Sequence, residues 1–204
     1  MSSLKYLVID TETSGLFDFS KPADAEGQPR MASIAMIYLD DRFDVVNESL
    51  HYVKPDGWVM SEEAAKIHGL TNEILNERGD SVDVPLDEFV FAVDSGLIVI
   101  AFNAQYDLKI LRGELRRSGR DDRFDRTPNI CVMRAMTNIL KIPSKRGIGY
   151  KWPKLSEAAQ HFNIEQKDAH TALDDARVTA RIAKKLFELS ALPSPEVHYV
   201  KGVK

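Results

Sequence analysis

Two short runs of almost uninterrupted apolar residues, 4–10 (LKYLVID) and 97–102 (LIVIAF), constrain this chain more than any other feature. Each is rich in β-formers and reads as a buried central strand. Strands of that kind need helices on both faces, and the intervening sequence supplies them. Helical spacing runs from the cap-like Ser61 towards His68, over residues 85–94, over 106–118 with Gly119 as a stop, and over 133–140. A final pair lies near 154–162 and 171–189, before a Pro-rich tail. Residues 33–39 and 45–53 read as an antiparallel hairpin continuing the sheet, and 129–132 as a short edge strand. The polar stretches 18–30 and 141–154 read as loops, the first as a mobile one. The expected architecture is a single α/β domain with a mixed sheet, residues 1–192, followed by a tail, 193–204.

At 204 residues the chain can bury one sizeable core without disulfides, and Cys131 is its only cysteine, expected to fill a small buried apolar position. No apolar run approaches a membrane span, and residues 1–5 lead into a strand without a secretory signal, so the expected compartment is the cytoplasm. A net charge of −4 argues against wrapping nucleic acid with a broad basic surface. It leaves room for a carboxylate site whose charge is offset by bound cations.

Those carboxylates fall at the strand ends. Asp10 and Glu12 are two apart at the end of the first apolar run, so extended backbone sends both to one side of the sheet. Asp107 stands in the corresponding place after the second run, beyond the polar exit Asn103–Ala104–Gln105. Each feature alone is commonplace, but in open α/β sheets ligand sites gather beyond the carboxyl ends of adjacent strands. In AHTALDDA, His170 and Asp175 would differ by about 140° on one regular helix. His170 is therefore expected on the loop before the helix, with Thr171 as N-cap, Asp174 as a capping acid in preference to a metal ligand, and Asp175 left to bind metal. Four carboxylates form a hard, oxygen-rich site suited to two divalent cations, Mg²⁺ or Mn²⁺, and hence to phosphate chemistry, with His170 as candidate general base. His51, His161 and His198 are read as ordinary surface or core histidines.

The strings IDTETSGL, IHGLT, AFNAQYDLKIL and HTALDDA, in this order, resemble the DEDDh 3′→5′ exonucleases, the DnaQ-like group that includes polymerase proofreading subunits. The likeness covers roughly residues 6–185 and fills every ligand position: Asp10, Glu12, Asp107 and Asp175, with His170 at the base position. It implies a ribonuclease H-like fold with a mixed five-stranded sheet, two divalent metals, hydrolysis by water and release of nucleoside 5′-monophosphates. It also implies that Thr13, Ser14, Gly15 and Leu16 border the terminal nucleotide, with Leu16 wedged against its base, and that Asn103 supports the second acidic motif. His68 is read either as a substrate contact or as a packing and hydrogen-bonding residue at its helix end.

Two departures stand out: the 18–30 stretch is longer than the family's compact turn, and Asn129–Ile130–Cys131 replaces a strand ending in Asp-Thr. The basic 141–154 loop is read as solvated, with backbone and base contacts by Lys145, Arg146, Lys151 and Trp152 as the alternative. The expected partner is a nucleic-acid 3′ end, DNA preferred and RNA possible, with a polymerase or repair partner. A noncatalytic module holding a nucleic-acid end is the alternative from another class.

Overall fold

The computed structural model describes residues 3–145, 147–166 and 170–197. In chain order the elements are β1 (Leu4–Thr13), β2 (Met31–Asp40), β3 (Val45–Tyr52), α1 (Glu62–His68), α2 (Asn72–Arg78), α3 (Asp83–Asp94) and β4 (Ile98–Ala101). These are followed by α4 (Ala104–Arg117), β5 (Pro128–Cys131), α5 (Val132–Leu140), α6 (Leu155–His161), α7 (Ala172–Glu188) and β6 (Glu196–Val197). The strands form one mixed sheet in the order β3-β2-β1-β4-β5-β6. β1 and β4, and β4 and β5, run parallel, while β2, β3 and β6 pair antiparallel with their neighbours.

Alternation along β1 divides the core into two layers. Leu7 and Ile9 pack on one face with Leu86 and Phe89 of α3 and Leu108 and Leu111 of α4. Tyr6 and Val8 pack on the other with Met136 of α5, Ala159 of α6 and Val178 and Ile182 of α7. All ten residues of β2 are buried, so the sheet is covered on both sides, as a strand lying between two helical layers requires.

The structure departs from expectation at four places. The sheet has six strands rather than five: Glu196–Val197 adds a short antiparallel edge to β5, tied by Asn129 Nδ2 donating to the Glu196 carbonyl at 2.9 Å. Two paired residues in a Pro-rich stretch carry no readable period. β1 runs on to Thr13, three residues beyond the end of the apolar run at Asp10, because Thr11 and Thr13 are buried and the strand keeps its β2 partners to Met31. α2 was not foreseen. It starts at Thr71, whose hydroxyl accepts from the Ile74 amide, and it buries only Leu75, too little apolar periodicity to mark a helix. The 18–30 stretch is a folded loop: buried Gln28 donates to the carbonyls of Asp18 (2.7 Å) and Pro22 (3.0 Å) and accepts from the Asp18 amide (3.0 Å).

That loop is fastened to α4. Arg30 Nε and Nη2 donate to Glu114, which is 1% exposed and also accepts from the Met31 amide at 3.0 Å. Gly113 lets the chain pass close, since a Cβ there would meet the Ala23 carbonyl oxygen at 2.5 Å. In the basic loop, Lys151 is paired with Glu157 at 2.5 Å, whereas Trp152 is 62% exposed. Arg146, His198 and the end of the tail lie outside the described residues. His51 bonds Glu88 at 2.6 Å and His161 meets the edge of Phe162, both structural contacts. Cys131 is partly buried, its thiol donating to the Phe102 carbonyl at 3.4 Å.

Candidate active site

The alternation that sorts the core also sorts the acids. Asp10 and Glu12 continue the Tyr6–Val8 face, which looks onto α7, and Asp175 in the first turn of α7 meets them there. Ligand oxygens of Asp10, Glu12 and Asp175 lie within 4.8 Å of one another. Thr11 points the opposite way, towards α4, where Asp107 sits in the first helical turn. Asp107 Oδ1 accepts from both the Thr11 amide (3.0 Å) and the Thr11 hydroxyl (2.8 Å). Asp107 thus reaches the strand end from the other layer, held by the residue between the two acids, and stands near enough that its charge raises the pKa of Asp10.

Crowding of negative charge marks the site. Burial, then the charges of Asp107, Glu12 and Asp175, push Asp10 well above the usual carboxylate range. Burial and the charges of Asp175 and Asp107 push Glu12 up to about 8. Burial lifts Asp107 to about 7 against the lowering effect of the Thr11 bonds. Asp175 is raised by burial and drawn back by Gln166, whose Nε2 donates to its Oδ1 at 2.7 Å, and by His170. Opposed carboxylates set this close favour protons or cations between them, and their all-oxygen donor set fits Mg²⁺ or Mn²⁺.

His170 is exposed, with φ +71°, and immediately precedes Thr171, whose hydroxyl accepts from the Asp174 amide at the start of α7. The loop position and the cap expected from spacing are thus those observed. Asp174 stands outside the acid cluster, its amide spent on the cap.

The segment after β1 is clamped from three sides. Thr13 Oγ1 donates to the Gly15 carbonyl at 2.8 Å and shares a hydrogen bond with the Tyr106 hydroxyl at 2.8 Å. Ser14 Oγ accepts from the Arg30 amide at 2.9 Å, and its carbonyl accepts from the Ser61 amide at 3.0 Å. His68 Nδ1 accepts from the Leu70 amide, which leaves Nε2 to donate to the Thr13 carbonyl at 3.1 Å. Burial, and then the like charge of His170, lower the His68 pKa, in keeping with a neutral ring. Held this way, the turn carries Leu16 into solvent at 92% exposure. The Asn103 carbonyl accepts the Tyr106 (2.8 Å) and Asp107 (3.4 Å) amides, so Asn103 supports the acidic turn through its backbone.

Thr11, Tyr106 and Gln166 are the site residues that sequence reasoning missed. Thr11 was accessible in principle, since alternation assigns it to the face opposite Asp10 and Glu12. Gln166 carries no such signal, nine positions from its partner in an irregular segment.

A mixed sheet between two helical layers, with carboxylates converging beyond a central strand and His170 on the loop beside Asp175, is a ribonuclease H-like fold. Residues 7–183 match the RNase_T exonuclease family. The chain belongs to this RNase T/DnaQ-like family, which is metal-dependent, and is a 3′→5′ exonuclease. It is 28% identical over 183 residues to the DNA polymerase III subunit epsilon of Aquifex aeolicus, covering 90% of this chain and 80% of that protein. It is 30% identical over 187 residues to an uncharacterized exonuclease of Escherichia phage 186, covering 88% and 87%. Its fold superposes on E. coli exonuclease I in complex with a dT13 oligonucleotide with a TM-score of 0.74 at 20% identity, covering 89% of this chain. The chain spans 40% of the length of that exonuclease. Among the described residues no helix is long and apolar enough to cross a membrane.

Proposed function

We propose that the protein removes nucleotides from the 3′ end of single-stranded DNA, with Asp10, Glu12, Asp107 and Asp175 holding two divalent cations and His170 as general base. The observation that carries this reading is the convergence of Asp10, Glu12 and Asp175 within 4.8 Å, with Asp107 tethered beside them through Thr11. Divalent cations there supply charge that binds the scissile phosphate and lowers the pKa of an attacking water. The four acids fix where that charge sits. Asp107, with Oδ1 committed to Thr11, offers its other oxygen. His170, exposed on its loop beside Asp175, takes the water's proton and passes it to solvent. Thr13, Ser14, Gly15 and Leu16 receive the terminal nucleotide, and Leu16 is free to lie against its base because the turn beneath it is clamped. His68 serves this segment by holding the Thr13 carbonyl.

DNA as substrate, and a polymerase or repair partner, are supported by likeness to epsilon subunits and to an exonuclease that binds a DNA oligonucleotide. The test is digestion of 5′-labelled single-stranded DNA and RNA of equal sequence with Mg²⁺, beside EDTA and Asp10→Ala controls. A ladder shortening from the 3′ end of DNA in preference to RNA, lost in both controls, is the expected result. Preferential shortening of RNA would reassign the substrate, and cleavage by Asp10→Ala equal to wild type would remove Asp10 from the site.

A further inference from the structure

Asp175 hangs from the first turn of a helix, where a short carboxylate can swing away from its neighbours, and something must hold it towards β1. We propose that Gln166 is a positioning residue for cation binding, fixing the plane of the Asp175 carboxylate so that it faces Asp10 and Glu12. This rests on the metal-site reading above. Gln166 Nε2 donates to Asp175 Oδ1 at 2.7 Å. The segment bearing Gln166 is itself anchored: the Ile164 amide donates to the Ala159 carbonyl at 2.9 Å, and Ile164 packs into the α5–α7 layer. Arg181 of α7 adds a bond to the Glu165 carbonyl at 3.4 Å. The amide is therefore presented from a fixed base on α6 and α7, the helix that carries its target. A neutral donor suits this role, because it orients the carboxylate without supplying a positive charge that would compete with the cation. Partners of this kind, one bond removed from a metal, commonly set its affinity by about 10–100-fold.

The test is titration of Mn²⁺ into metal-free wild type, Gln166→Ala, Gln166→Asn and Asp175→Ala, followed by calorimetry and by the signal of free Mn²⁺ in electron paramagnetic resonance. Gln166→Ala is expected to weaken Mn²⁺ binding by about 10-fold. Its melting temperature in EDTA should stay within about 3 °C of wild type, as for a surface change without loss of core. Gln166→Asn, one methylene shorter, cannot span the same gap and should behave like the alanine variant. The metal concentration giving half-maximal cleavage should rise in step with the binding constant. Unchanged Mn²⁺ affinity in Gln166→Ala, with affinity weakened in Asp175→Ala, overturns the role of Gln166 alone. Mn²⁺ affinity in Asp175→Ala equal to that of wild type overturns the metal site and the role of Gln166 together.

Discussion

Replacing Glu12 by glutamine keeps the side chain's shape and removes one of four charges gathered beyond β1. Burial and the charges of Asp175 and Asp107 raise the Glu12 pKa from 4.5 to about 8. In the unfolded chain the ordinary value returns, so between those two pH values the unfolded state has released more protons than the folded one. Stability then falls as pH rises through that window, and the metal-free protein is weakest at its upper end. Taken alone, the shift corresponds to about 4 kcal/mol at pH 8 and about 1 kcal/mol at pH 5.5, at ~1.4 kcal/mol per pKa unit. Burial is the larger part of this shift and the neighbouring like charges share the rest, so the gain from removing this one charge is about half of it, or ~2 kcal/mol. For a domain of this size that is about 4–8 °C in melting temperature. Scanning calorimetry in EDTA should therefore show Glu12→Gln melting above wild type at pH 8, with the gap shrinking towards pH 5.5. With saturating Mn²⁺ the order should reverse at pH 8, because wild type gains cation binding that the variant has largely lost. An equal or lower melting temperature for the variant in EDTA at pH 8 would refute the account of the site as buried carboxylates crowded by like charge.

Other substitutions separate the roles of neighbouring residues. Asp10→Ala and Asp175→Ala should each lower cleavage by about 10³-fold or more and weaken Mn²⁺ binding, whereas His170→Ala should lose about 10²–10⁴-fold in turnover and still bind Mn²⁺; gel kinetics and calorimetry on the same samples read both. Thr11→Val leaves Asp107 with the backbone bond alone, which should destabilise the protein by about 1–2 kcal/mol and reduce cleavage without altering the fold seen by circular dichroism. Glu114→Ala leaves Arg30 without its buried partner and the Met31 amide without an acceptor, and should cost about 3 kcal/mol or more in urea unfolding. A loss below about 1 kcal/mol there would mean that the 18–30 loop is held by other contacts.

Local pattern carried most of the architecture and the chemical character of the site. The apolar runs around Val8 and Ile100 required helices on both faces, the two-residue spacing of Asp10 and Glu12 put them on one side, and Thr171 set the start of α7. Those are local facts, because strand alternation and helix capping act within a few residues. Tertiary structure decided what approaches from a distance. Spacing brought Asp107 to the same strand end as Asp10, but only the packing of α4 on the opposite layer gives it Thr11 as its anchor. Gln28 closing the 18–30 loop, Glu114 buried beneath Arg30, and Gln166 reaching Asp175 are single polar side chains with no period to announce them. Each is fixed by the demand that a buried or half-buried polar group find a partner, and which partner it finds is settled only when the layers have come together.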